Sequence, residues 1–256
     1  MRVYLDLQKK HGDPRQFWPG WCARKKSLKL REEIAIGAIL TQRTNWRNVD
    51  MALTYLRSQG MLSINGIYSF PENRDCRSRI FSPHVVRGKL ESTAPARSLD
   101  TRIGKGISVG MLKIVTQHSL NTFQTLEELI RPAGFYHQKA KKLWGFCRMV
   151  IEEYGSLKKF MKEDLATARS KLLNLWGIGP ETADSILLYA LDKPSFVIDE
   201  YTRRLLTKNK LVRNFDYDFL KNLFENNLPQ NFRLFQDFHC LIVVEEKGTE
   251  NSRMEK

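Results

Sequence analysis

Asp199 follows the apolar run Phe196-Val197-Ile198, so its carboxylate is expected to be partly desolvated. Gly179 lies 20 residues before it and closes the turn Gly177-Ile178-Gly179 between two apolar helical runs. The two glycines let the backbone turn sharply, and their amides sit at the mouth of the second helix, where an anion such as a phosphate is well received. Gln42, Arg43 and Asn45 are polar groups at a helix junction that could reach a duplex, with Trp46 beside them. The knot Phe17-Trp18-Pro19-Gly20-Trp21 offers flat aromatic faces on which a base could stack. A phosphate anchor and a carboxylate a fixed distance away would suit chemistry on DNA.

These residues also have plainer readings. Glu200-Tyr201-Thr202-Arg203-Arg204 begins a helix, so Asp199 can serve as its N-cap, a role compatible with catalysis. The aromatic knot can be a plug that ties the N-terminus to the core. Asn45 can cap the helix that starts at Trp46. Glu181 reads as an exposed first-turn carboxylate favoured by the helix dipole, and His137 and His239 read as packing or surface residues. Lys139, Lys141 and Lys142 form a basic cluster that either contacts phosphates or lies on a solvated helix face.

The elements that must hold these groups all read as helices. Ile34, Ala35, Ala38, Ile39 and Leu40 mark one, and Val49, Ala52, Leu53 and Leu56 a second. From Thr125 a short helix runs to a Pro132–Gly134 break, and a long amphipathic helix follows with Leu143, Cys147, Val150 and Ile151 inward. The hairpin occupies residues 165–191. Two more helices are expected over Asp216–Leu228, with Phe219, Leu220, Leu223 and Phe224 inward, and over Phe232–Val244. No convincing strand pattern occurs, so the fold class expected is all-α, in two helical lobes.

The chain has 256 residues, enough for a substantial core, and carries 42 Lys and Arg against 28 Asp and Glu, a formal charge of +14. That excess favours nucleic acid or an acidic membrane surface as partner. No apolar run reaches the roughly 18 residues that span a bilayer, and the first residues lack a signal-peptide pattern. The expectation is a monomeric cytoplasmic protein, nucleoid-associated in a prokaryote, that binds double-stranded DNA and no membrane. Cys22, Cys76, Cys147 and Cys240 are scattered with no CxxC pair, so no metal or iron–sulfur site is expected.

Residues 68–124 stand apart. They hold Pro71, Pro83, Pro95 and a glycine cluster, with nine Lys and Arg against four Asp and Glu, a local excess of +5. Apart from a short helical pattern near Met111–His118 no period is sustained, and a basic insertion of low order is expected. Residues 246–256 read as a polar tail.

With these residues in hand, the chain resembles the helix-hairpin-helix superfamily of DNA glycosylases, the endonuclease III-like group. LLNLWGIGPETADSILL matches the family hairpin, VIDEYTRRLL the segment with its catalytic aspartate, AIGAILTQRTNWRNVDMAL the helix junction before the base pocket, and AGFYHQKAKKL a helix start. The match covers roughly residues 1–67 and 125–245. Two departures narrow it. Lyase-competent members carry a lysine two residues after the second hairpin glycine, where this chain has Glu181, which cannot form a Schiff base. Lys193 is near in sequence but lies beyond the hairpin. Many relatives end in four cysteines that bind an iron–sulfur cluster, and here only Cys240 lies in that region.

The resemblance is therefore closest to monofunctional 3-methyladenine DNA glycosylases without a cluster. It implies that Gly177, Ile178 and Gly179 hold a backbone phosphate, with a monovalent cation at the turn, while Gln42 and Arg43 meet the duplex and Gln42 fills the gap of a flipped base. It further implies a pocket of Trp18, Pro19 and Trp46 for an electron-poor alkylated purine, and Asp199 stabilising the oxocarbenium-like sugar, activating water, or both. Alternatives from the residues are a non-catalytic hairpin DNA-binding module, or a mismatch or oxidised-base glycosylase with lyase activity.

Overall fold

The computed structural model describes residues 1–68 and 122–248, with side chains from Leu126 onward in the second stretch. Readings made for residues 69–121 and 249–256 lie outside the described residues. Every regular element among the described residues is helical.

The N-terminus contributes α1 (Arg2–His11), which no reading of the sequence anticipated. Only Tyr4 and Leu7 are buried on it, while Leu5 faces solvent, so its apolar stripe is too short to declare itself. After a 3-10 turn at Pro14–Gln16 comes α2 (Leu28–Leu40), capped by Ser27. All seven residues from Ile34 to Leu40 are buried, as in a helix enclosed on every side. α3 (Trp46–Ser58) starts where Asn45 accepts the Asn48 amide at 3.0 Å, the cap the sequence suggested. α4 (Ile64–Tyr68) completes this part.

The second stretch runs α5 (Thr122–Leu129), a 3-10 turn at Arg131–Ala133, and α6 (Tyr136–Met149), which continues through a π turn at Val150–Tyr154. The break at Pro132–Gly134 is thus where the sequence placed it. α7 (Leu157–Phe160) leads to the hairpin proper, α8 (Leu165–Leu173) and α9 (Pro180–Ser185, running on through a π turn at Ile186–Ala190). α10 (Glu200–Lys208), α11 (Tyr217–Asn227) and α12 (Phe232–Lys247) follow. α2 packs on α6 and on both parts of α9, and α12 packs on α1 and α10. The hairpin is thereby held between a central helix and the C-terminal helix.

Three expectations change. Phe219 is 43% exposed, because Leu220 and Phe224 form the inner face of α11 without it. Ile151 is half-buried, since the π turn widens α6 and shifts the face that follows Val150. α12 extends past Val244 to Lys247, so the polar tail begins later than read.

A buried polar cluster sets the approach to Asp199. Asp184 on α9 is fully buried and accepts from Arg169 (2.9 Å), Ser195 (2.6 Å) and Tyr217 (2.8 Å), with Lys221 at 3.5 Å. A buried carboxylate is tolerated only when so paired. The cluster joins α8, α9, α11 and Ser195, and the Phe196 amide is held in turn by Glu225 at 2.8 Å. The segment that delivers Asp199 is fixed at its start by side chains from several helices.

Candidate active site

The hairpin turn is built on Gly177, whose φ of +77° lies in the left-handed region. Gly177 and Gly179 are exposed and Ile178 is buried. The amides of Gly177 and Gly179 make no hydrogen bond among the described residues, whereas the Ile178 amide is spent inside the turn on Leu175 O at 3.1 Å. The expected three-amide phosphate cradle is corrected on that point: two amides are free, and Ile178 anchors the turn with its side chain. Space is open beyond Gly179, where an added Cβ would meet nothing within 4 Å.

Basic and polar side chains gather round the turn. Lys142 donates to Gln42 Oε1, and Gln42 Nε2 donates to Thr182 Oγ1 at 2.9 Å and to Gly177 O at 3.1 Å. Gln42 is therefore drawn onto the hairpin rather than left projecting, and a wedge role requires those bonds to open. Arg43 is exposed beside it in a left-handed conformation, φ 53°. Lys141 stands over the exposed Trp176 ring at 4.1 Å. Lys139 leaves the expected basic cluster: it is 1% exposed and donates to the carbonyls of Leu40 (2.8 Å) and Ala133 (2.6 Å). Burial, then the neighbouring Lys142 charge, lowers its pKa to about 8.

A cavity of about 430 Å³ opens beside the turn, and Trp18, Trp21, Trp46, Tyr189, Asp199 and His239 line it. Trp18 meets Trp21 edge-on at 5.9 Å, and Trp21 meets Trp46 at 5.5 Å, so the three indoles brace one another. Trp46 Nε1 is buried without a hydrogen-bond partner among the described residues. Gln42 and Arg43 sit on the rim with Glu181. Pro19 is not in this cavity; it lines a neighbouring one behind Trp21 and Trp46, because the backbone at Pro19-Gly20 faces Leu30 and Ile34 instead.

Asp199 caps α10 through Oδ1, which accepts the Thr202 amide at 2.7 Å. Its Oδ2 lies 3.3 Å from His239 Nε2, and its side chain is 13% exposed. Burial works against the charge, but His239 and the Thr202 bonds outweigh it and hold the carboxyl below the usual range. His239 was read as a packing or surface residue. It is buried, yet it faces the carboxylate, and its Nδ1 lies 2.7 Å from the Tyr189 hydroxyl. No local motif marks that pairing, since the two residues are 40 positions apart and meet only because α12 crosses α10.

Glu181 is exposed, as expected of a first-turn residue, but it stands on the cavity wall rather than on an open face. Burial against that wall, then the Asp199 charge, pushes its carboxyl up. Lys247 is a further lining residue, half-buried, and burial lowers its pKa. Lys193 lies elsewhere, its ammonium on the carbonyls of Met161 and Glu163. Cys22, Cys147 and Cys240 are buried as free thiols, and no group of three or more His, Cys, Asp or Glu is placed to hold a metal among the described residues.

Comparison with known proteins agrees with this architecture. Residues 110–230 match the family model of HhH-GPD superfamily base excision DNA repair proteins. A protein of Methanocaldococcus jannaschii, named as a candidate DNA repair glycosylase, is 32% identical over 245 residues, which is 94% of this chain and 84% of that protein. Endonuclease III of Synechocystis is 30% identical over 122 residues, 45% of this chain and 52% of that one. The structure of H. pylori 3-methyladenine DNA glycosylase (MagIII) bound to 1,N6-ethenoadenine superposes with a TM-score of 0.61 at 26% identity, covering 98% of this chain and 94% of that one. With a hairpin, a helix-capping aspartate and an aromatic cavity in one place, and a relative this similar along 94% of this chain, the chain belongs to the HhH-GPD superfamily of base excision DNA repair proteins.

Proposed function

We propose that this protein is a monofunctional DNA N-glycosylase that removes an alkylated purine and leaves an abasic site. The observation that carries the reading is the cavity itself, in which braced indoles and the Asp199 carboxylate share one wall system. An alkylated purine is electron-poor and often cationic, so it stacks favourably on electron-rich rings. Its glycosidic bond is weakened, so one ionised carboxylate beside the sugar can suffice. In this reading the duplex is gripped by the free Gly177 and Gly179 amides, with Lys141, Lys142 and Arg43 around them, and a monovalent cation at the turn is part of the same proposal. No iron–sulfur cluster or other cofactor is required.

Loss of lyase chemistry rests on Glu181, a carboxylate where an amine would be needed, and on Lys193 being tied to backbone carbonyls elsewhere. One observation favours a second reading. Lys247 puts a desolvated amine on the cavity wall, and such an amine could attack the sugar and nick the strand. The deciding experiment uses duplexes carrying methylated purine, thymine glycol, or a G·T or U·G mismatch. Free base is assayed first, then nicking with and without alkali. Release of methylated purine with nicking only after alkali is the expected result; nicking without alkali overturns the monofunctional reading.

A further inference from the structure

Of the five tryptophans, Trp18 and Trp21 are buried, Trp46 and Trp144 are half-buried, and Trp176 is held out, 55% exposed. It precedes Gly177, so its ring stands beside the exposed turn whose Gly177 and Gly179 amides make no hydrogen bond among the described residues. An exposed indole is not in itself unusual, but this one has an organised neighbour. Lys141 Nζ lies 4.1 Å from the centre of the ring, a cation–π contact that restrains both side chains. One position along α6, the Lys142 chain lies where a Cβ on Gly177 would stand. Two successive lysines of α6 are thus docked on two successive residues of the turn, Lys141 on Trp176 and Lys142 on Gly177.

An apolar ring beside ammonium groups fits one class of partner. A nucleic-acid backbone alternates an anionic phosphate with an apolar sugar face, and the pair can meet both. The charge of the whole chain, +14, has the matching sign. We propose that Trp176 is a duplex-binding residue: its indole lies on a deoxyribose of the strand whose phosphate the turn receives, and it sets the Lys141 ammonium against that phosphate. The proposal rests on the DNA-binding part of the glycosylase reading above and adds an apolar contact to a grip otherwise made of charges and amides.

The two members of the pair leave different marks on one binding curve. An ammonium on a phosphate releases condensed counterions, so its contribution fades as salt rises. A ring on a sugar releases only water, so its contribution is nearly independent of salt.

The test is an anisotropy titration of a labelled, undamaged duplex at several salt concentrations, with acrylamide quenching of tryptophan fluorescence in the free and bound protein. No damaged base then enters the cavity and shields its indoles. Trp176→Ala should weaken binding on the order of 10-fold at every salt concentration, with nearly the same salt slope, since the ammonium remains. Lys141→Met should lower the slope by about one. In the double variant the two losses should be less than multiplicative, because each side chain places the other. In the wild-type protein the duplex should shield the exposed indole from acrylamide, and Trp176→Phe should lose that shielded signal while binding more tightly than the alanine variant. Affinity of Trp176→Ala within about twofold of wild type overturns the proposal. Should that variant not fold, equal quenching of the free and bound wild-type protein does so. Shielding that grows with protein concentration in the absence of DNA also overturns it, since a second copy then covers the ring. All of this reads binding alone. A duplex that shields Trp176 while methylated purine is never released supports the contact and fails the glycosylase reading, and release of that base without the shielding does the reverse.

Discussion

A Cβ built on Gly177 would collide with Cε of Lys142, the lysine whose ammonium holds Gln42. The turn, the lysine and the glutamine therefore form one unit. Gly177→Ala meets both the left-handed backbone and that contact, so it should cost roughly 1–2 kcal/mol of stability and displace Lys142. Gly179→Ala meets open space and should leave the melting temperature nearly unchanged. If phosphate approaches there, the same substitution still weakens DNA binding in a mobility-shift titration. Equal losses of stability in the two variants would show that the turn is not organised by Lys142.

Asp199 has two jobs that a single substitution separates. Asparagine keeps a side-chain oxygen for the Thr202 amide, so Asp199→Asn should retain the α10 cap and melt close to wild type. It removes the negative charge, so base release should fall by at least about 10²-fold with DNA binding intact. Retained release in a folded Asp199→Asn protein would dismiss the carboxylate as the catalytic group.

Lys139 predicts a pH effect on stability far from the carboxylates. Its folded pKa is about 8, against an ordinary 10.5. Between those values the unfolded chain binds more protons than the folded one, so stability rises with pH across that window. The neutral amine keeps two N–H donors for the Leu40 and Ala133 carbonyls, so no bond is lost on deprotonation. Relative to Lys139→Met, wild type should gain up to about 3 kcal/mol in denaturant unfolding from the bottom of that window to the top. A constant difference between the two proteins would mean that the ammonium is better solvated than its burial implies.

What could be read from the residues was what depends on local order. The helices on either side of Asn45 and the hairpin glycines follow from periodicity, capping and turn chemistry, and the spacing to Asp199 gained its meaning from the family resemblance. What escaped depends on helix crossings. Lys139 stands in a run of lysines at the start of α6, and nothing local says that its tip is swallowed by two carbonyls. His239 and Lys247 sit on a helix whose pattern shows only that one face is buried, not which cavity that face completes. The resemblance groups Pro19 with Trp18, yet the chain turns at Gly20 and sends the two to different cavities.

Glu181 carries the last prediction, because the proposed absence of strand nicking rests on it. It stands on the cavity wall with Asp199, and its carboxyl is pushed up by burial and by that neighbour. A carboxyl offers no amine to a sugar carbon, so the wild-type protein should give no complex trapped by borohydride on its substrate duplex. Glu181→Lys puts an amine at the same point of the wall, in the cavity that Asp199 also lines. That variant should gain a trapped complex and some nicking without alkali. If the wild-type protein is itself trapped, the amine must come from elsewhere on the wall. Loss of trapping in Lys247→Ala would then identify Lys247 as the nucleophile and make the enzyme a lyase.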